Sequence, residues 1–430
     1  VTQYNQLFLL TFTLFVLNFL WRQILRYLSY SYLKKHKGEI PPELSHVFTP
    51  KDLEDIENYT LARMRFTVWH SLFSFALSLW WLFGGGFLWL YHWTVGLGLS
   101  FIWTGIVLTL LSSLLFEILD IPWDLYESFV LEAKFGFNTM TLATWITDML
   151  KSLLLTLILE FPLLAITLFI VEKLPSSWWI IVWVVFSLFE ILIIYIAPYV
   201  IEPLFNKYEP LEAEFGDPIR QWAEKNNVKI SAVLKMDASR RTKHSNAYFT
   251  GIGSVKRIVI FDTMLQNFTI PEILGVLSHE LGHWRRHHIS KQLFFSSLFS
   301  LVAAYIAFFL IQQRWFSLAF GINPELAHSP MGFFSEVLFL GTFLSGISPF
   351  FQPISAFFSR RREKEADSYA VKTMGESQSL QSALIKLYKE NLSPFHVHPL
   401  VVKFTYSHPP LLQRIRFLAE EEKKLHHDNP

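Results

Sequence analysis

The sequence predicts a predominantly α-helical, multi-pass membrane protein with about seven transmembrane helices and a small α+β part between the fifth and sixth. Three observations carry this. Apolar runs of about 20 residues, the length that crosses a hydrocarbon core of roughly 30 Å, recur seven times. The composition is that of a membrane protein, with 52% hydrophobic residues, 42 Phe and 15 Trp among 430 positions. Two polar blocks, 201–290 and 359–430, interrupt the apolar pattern and are long enough to fold.

In chain order, the runs lie near 5–27, 66–92, 97–119, 151–171, 178–200, 291–312 and 331–358. The first ends in LNFLWRQILRYLSYSYL, too long and too aromatic for a signal peptide, with no small-residue cleavage site after it, so it is expected to stay as a helix. Lys and Arg set the orientation. With the N-terminus outside, only Lys173 and Arg314 of the 37 Lys and Arg fall in outer loops, and the opposite layout inverts nearly every charge. The polar blocks then face the cytosol.

Block 201–290 reads as mixed structure. DPIRQWAEKNNV has a helical pattern, whereas KISAVLKMD, AYFTGIG and KRIVIFD are short β-branched and aromatic runs expected as strands. Block 359–430 is helical throughout, broken at SPFHVHP and YSHPPLL, so His396, His398 and His408 are expected on loops or helix starts. The organisation is thus 1–200 with five spans, 201–290 α+β, 291–358 with spans six and seven, and 359–430 helical. A net charge of +1 supplies no dominant basic field for nucleic acid, and the absence of Cys removes disulfides and thiolate zinc sites.

The chemistry concentrates in 278-SHELGHWRRHH-288. His279 and His283 are four residues apart, so on a helix both imidazoles leave one face and can hold one metal ion. With Glu280 beside the first His, this is the H-E-x-x-H arrangement of zinc peptidases, in which zinc brings the pKa of a water to about 7 and the Glu takes its proton. Thr269 and Pro271 suit the start of such a helix. The extended motif with a third His is excluded, because position 289 is Ile and 286 is Arg. His287 and His288 are poor third ligands, since consecutive turns of one straight helix converge badly on a tetrahedron, and they read as membrane-proximal polar residues.

The third ligand is therefore expected from another segment, and 359-SRRREKEADSYA-370 is the best candidate. Glu363 and Asp367 share a helical face, whereas Glu365 points about 200° away from Glu363. If one of the face-sharing carboxylates binds zinc, the other can brace a ligand imidazole. The residues alone leave that choice open.

HELGHW at 279–284, SRRREKEAD at 359–367, KHSNAYF at 243–249, RIVIFDT at 257–263, YSHPPLLQRI at 406–415 and PWDLYESFVLEAKFGFN at 122–138 together resemble the type I CAAX prenyl proteases. The resemblance implies a zincin-like metalloprotease domain, one Zn2+ held by His279, His283 and Glu363, and Glu280 as general base. It also implies Asp367 as an acidic partner of a ligand, His408 and Arg414 facing the cleft, and Asn246 on the edge strand that pairs with extended substrate. Seven helices would surround a water-filled chamber, giving Glu117, Glu160, Glu190 and Glu336 a lining to occupy.

The implied activity is membrane-embedded hydrolysis near the C-terminus of a prenylated protein or peptide, removing three residues after the modified Cys. The implied location is the endoplasmic reticulum or inner nuclear membrane, or the inner membrane in a bacterium. Only 15 residues separate FDT from HELGHW, where eukaryotic members often carry a polar insertion. Two other functions use the same features: a zinc protease for quality control of membrane proteins, and a seven-helix transporter or receptor with a structural metal.

Overall fold

The computed structural model describes residues 6–250, 255–313, 315–316 and 330–428. Arg314 and Gly251 to Gly253, which the sequence assigns to an outer loop and to a strand end, lie outside the described residues.

Among the described residues, seven helices are long and apolar enough to cross a membrane. The first half of the chain contains α1 (Gln6–Lys35), α2 (Pro50–Phe83), α3 (Gly86–Gly96), α4 (Phe101–Tyr126), α5 (Leu142–Lys173), α6 (Trp178–Ile196) and the short α7 (Glu202–Phe205). The spanning helices of the second half are α11 (His288–Ile311) and α12 (Pro330–Ile347). Neighbours run from α1 to α2, through α3 to α4, then α5, α6, α11 and α12, which packs back on α1. The spans therefore close into a ring. Asn18 on α1 seals one joint by donating to the Ser345 carbonyl at 2.9 Å, and Trp183 on α6 donates to the Ser297 carbonyl at 3.0 Å. A cavity of 280 Å³ between α2 and α4 has Ser74, Ser78, Glu117 and Asp120 in its wall. Glu160 and Glu190 are exposed and Glu336 is buried.

Several spans differ from the hydropathy reading. α2 begins at Pro50, not near 66, because hydropathy registers only its membrane part. Its polar first turns are capped by Thr49 and Asp52, and they bury Leu53 and Ile56 in the core of the part outside the membrane helices. It stops at Gly84, and Gly85, with φ of 90°, turns the chain into the separate helix α3. The expected loop over 120–150 is largely helix. α4 runs through Pro122, continues as π-helical turns over Glu127–Glu132, and α5 starts at Leu142.

Outside the ring, four strands form one sheet in the order β1-β2-β4-β3: β1 (Tyr208–Pro210), β2 (Lys229–Met236), β3 (Ala247–Thr250) and β4 (Val255–Phe261). β2 and β4 are parallel and the outer pairs antiparallel, which leaves β3 on an edge. β1 was not anticipated, being three residues long and ending in Pro. The sheet is accompanied by α8 (Ala213–Lys225), α9 (Asp262–Asn267) and α10 (Ile270–Arg285). After the last span come α13 (Gln352–Met374), α14 (Gln378–Glu390), α15 (Pro399–Thr405) and α16 (Leu411–Asp428). One core joins them: Ile258 and Ile260 of β4, Leu277 and Leu281 of α10, Val371 of α13, Leu384 of α14, Leu411 of α16, and Leu44 and Phe48 from the loop before α2.

Candidate metal centre and active site

The helix that carries HELGH is fixed at its start and along its length. Thr269 and Glu272 form a capping box, with the Thr269 N–H donating to Glu272 Oε2 at 2.8 Å. Ser382 donates to Glu272 Oε1 at 2.6 Å and Lys386 to Oε2 at 2.7 Å, tying α10 to α14. Burial raises the Glu272 carboxyl, but Lys386, Ser382 and Thr269 outweigh it and hold the pKa below the usual range. Further along, Gly282 lets α10 meet α13 at backbone distance, since a Cβ there would lie 2.8 Å from Ala366 Cα.

That approach brings the three expected ligands together. His279 Nε2 is 3.2 Å from His283 Nε2 and 3.4 Å from Glu363 Oε2, and His283 Nε2 is 3.3 Å from Glu363 Oε1. A tetrahedral ion with bonds of about 2.0–2.1 Å to N and O has ligand-to-ligand edges of about 3.3–3.4 Å. The two imidazole nitrogens match such an edge, and each lies within 3.4 Å of one Glu363 oxygen, so the donor set fits a metal ion. Glu363 is 5% exposed, and its Oε2 is buried without a hydrogen-bond partner, as a carboxylate oxygen reserved for a cation would be. Among the described residues, this is the group of His and acidic side chains close enough to hold a metal.

The outward nitrogen of His279 faces Asp367. Nδ1 lies 2.8 Å from Asp367 Oδ1, and Arg414 clamps the same carboxylate, Nη2 to Oδ1 at 2.6 Å and Nε to Oδ2 at 2.9 Å. Burial raises the Asp367 carboxyl, but Arg414 and His279 overcome it and bring the pKa to about 2. Burial lowers His279, but the neighbouring Asp367 and Glu363 carboxylates overcome that and leave the metal-free imidazole at about 9. Glu363 is held well below the carboxylate range, because the two imidazoles outweigh its burial. A metal must then displace at least one proton below pH 9. Metal affinity is expected to rise by up to about tenfold per pH unit towards pH 9 and to level off above it, in competition titrations with a chelator.

The other expected residues are placed with less uniformity. Glu280 is half-buried, one residue past His279 on α10. His408, on the loop between α15 and α16, is exposed, with Nε2 3.4 Å from Glu363 Oε1 and Nδ1 2.8 Å from Ser407 Oγ. Arg414 does not face an open cleft. It is 8% exposed and spent on Asp367, behind His279, with Nη2 3.4 Å from the imidazole Nδ1. Asn246 is exposed and immediately precedes β3 rather than lying within it, with its backbone carbonyl accepting from Phe261 N–H and its side-chain Oδ1 from Ala247 N–H.

His288 contradicts its reading as a bystander. It is 4% exposed, with Nδ1 3.1 Å from His283 Nδ1 and Nε2 3.1 Å from Glu365 Oε2. The reading assumed one straight helix, whereas the chain breaks at His287, whose φ is 55°. A buried imidazole beside HELGH had no periodicity to announce it.

Comparison with known proteins agrees with this architecture. Residues 29–207 match the model described as CAAX prenyl protease N-terminal, five membrane helices, and residues 212–422 match Peptidase family M48. CAAX prenyl protease 1 of Saccharomyces cerevisiae is 33% identical over 93% of each chain, and the human CAAX prenyl protease 1 homolog is 30% identical over 89% of each. The crystal structure of S. mikatae Ste24p superposes with a TM-score of 0.87 at 31% identity, covering 95% of this chain and 99% of that one. A ring of membrane helices, an M48 domain over 212–422 and a His-His-Glu cluster in one chain lead to one assignment: this protein is a membrane metalloprotease belonging to the CAAX prenyl protease family of M48 peptidases.

Proposed function

We propose that this chain is a zinc endopeptidase that removes the three C-terminal residues of prenylated CAAX proteins at the cytosolic face of its membrane. The observation that carries the reading is the cluster of His279, His283 and Glu363, in which the two imidazole Nε2 atoms lie 3.2 Å apart and each is within 3.4 Å of a Glu363 carboxylate oxygen, a set of three donors that would hold one zinc ion. One Zn2+ bound there supplies Lewis-acid polarisation of the scissile carbonyl and acidifies the attacking water.

The chain's own residues do the rest. Glu280 takes the proton of the attacking water as its oxygen bonds to the carbonyl carbon, then passes that proton to the amine as the C–N bond breaks. His408, exposed and 3.4 Å from Glu363, is positioned to donate to the developing oxyanion. Asp367 and Arg414 keep His279 oriented with Nε2 inward. The free edge of β3, entered through Asn246, supports extended binding of the substrate backbone.

A prenyl chain explains why the cluster sits at the rim of a helix ring. The lipid favours the bilayer by about 0.8 kcal/mol per buried CH2 and holds its peptide beside the membrane. The eukaryotic relatives and the scarcity of basic residues in outer loops support the endoplasmic reticulum or inner nuclear membrane with the metal site towards the cytosol. Mass spectrometry of products from prenylated and unprenylated forms of one CAAX peptide tests the proposal. Loss of the last three residues from the prenylated form is expected at a kcat/KM higher by tenfold or more, on the order of 1.4 kcal/mol of lipid binding realised in the transition state. Equal rates would favour a quality-control protease.

A further inference from the structure

We infer that His288, backed by Glu365, is a positioning residue for His283: it fixes which nitrogen of that ring faces the metal and ties the ligand to the sixth membrane span. The inference rests on the proposed metal reading.

Local backbone geometry places the residue. On an uninterrupted helix, position 288 would lie about 140° around the axis from 283, too far for the two rings to meet. α10 instead ends at Arg285, and His287 adopts the left-handed conformation, with φ of 55° and ψ of 37°, before α11 begins at His288. The reversal folds His288 back on His283. Its chain neighbours His287 and Ile289 stay exposed while His288 is 4% exposed, so the buried ring is selected against the local trend.

The proton inventory then has one solution. His283 Nε2 lies 3.2 Å from His279 Nε2 and 3.3 Å from Glu363 Oε1, so it is the nitrogen that carries the lone pair for the metal. A neutral imidazole has a single N–H, which must sit on His283 Nδ1 and needs an acceptor. His288 Nδ1, at 3.1 Å, is that acceptor, which leaves the His288 proton on Nε2, donated to Glu365 Oε2 at 3.1 Å. Arg361 steadies Glu365 from one helical turn earlier, Nε to Oε1 at 3.2 Å.

The two ligand imidazoles are thus braced in the same sense but by different means. His279 donates directly to a carboxylate clamped by arginine, whereas His283 reaches its carboxylate and arginine through an inserted imidazole. The ligand His283 is on α10, while His288 is on α11 and Glu365 and Arg361 are on α13, so the ring orientation of His283 depends on how the sixth span is docked.

The test uses the full-length protein in detergent, with zinc content, zinc release to dipicolinate and the visible spectrum of the cobalt(II)-substituted form as readouts. His288→Ala is expected to release zinc on the order of 10–100-fold faster and to alter the cobalt spectrum. His288→Asn puts a carbonyl oxygen where Nδ1 stood and should restore both to within a few-fold. His288→Gln places its amide where Nε2 stood and should not. Glu365→Gln should show a smaller acceleration. Wild-type release from His288→Ala, or equal restoration by Asn and Gln, overturns the inference. Should the alanine variant fail to fold, the Asn and Gln pair still decides it. Failure of the metal reading itself would look different, because the wild type would then hold no stoichiometric zinc.

Discussion

Glu280→Gln is expected to keep its metal, fold and membrane insertion while losing on the order of 10²–10⁴ in kcat, the range that removal of a positioned acid-base group produces. This corresponds to roughly 3–5 kcal/mol of transition-state stabilisation. The substitution is nearly isosteric, and Glu280 is neither part of the ligand triangle nor fully buried, so the loss falls on proton transfer alone. Metal analysis should return wild-type stoichiometry beside single-turnover rates that have collapsed. Retained turnover would show that another group accepts the proton of the attacking water.

The second large effect is on the metal itself. Glu363→Ala leaves two imidazoles where the proposed site has three protein donors, and its loss of metal affinity should exceed the roughly 10–100-fold typical of an outer partner. After dialysis the variant is expected to hold little zinc. Glu365→Ala, two residues along α13, should keep most of it, because Glu365 faces His288 and not the triangle. Comparing zinc per chain for the two variants checks the assignment, and a reversed order would show that the wrong carboxylate was chosen. Asp367→Ala is a third case: it strips the His279 proton of its acceptor and leaves Arg414 buried without its anion, a loss that costs stability as well as affinity.

Much of the site was legible before any coordinates. Four-residue spacing places His279 and His283 on one face of any helix, and the same rule pairs Glu363 with Asp367 and separates Glu365. What spacing could not decide was which acid meets the metal; that depends on the depth at which α13 crosses α10, set by the contact of Gly282 with Ala366. Arg414 looked like a cleft residue because its segment matches one, yet it is consumed by Asp367, a partner 47 positions away that no local pattern reveals. His288 was hidden for another reason. A left-handed His287 has no compositional signature, and the straight-helix assumption sends its neighbour to the wrong side.

The fold shows the same division. Seven spans follow from hydropathy because lipid punishes every unpaired backbone group. Hydropathy is blind where a span continues into water, so the first turns of α2 were missed although Leu53 and Ile56 sit in the core outside the membrane helices. β1 was missed because three residues cannot display an alternation.

The separation of the ligands along the chain also sets an order of events during synthesis. His283 and Glu363 are 80 residues apart (363 − 283), with α11 and α12 between them. At about 5–20 residues per second, a ribosome delivers the glutamate roughly 4–16 s after the histidine. Throughout that interval the HELGH helix has two donors for a metal and no third, and His408 and Arg414 are still to be translated. On the proposed ligand set, a nascent chain in this state is expected to be silent, and activity is expected only once the last two spans and the third donor have been made.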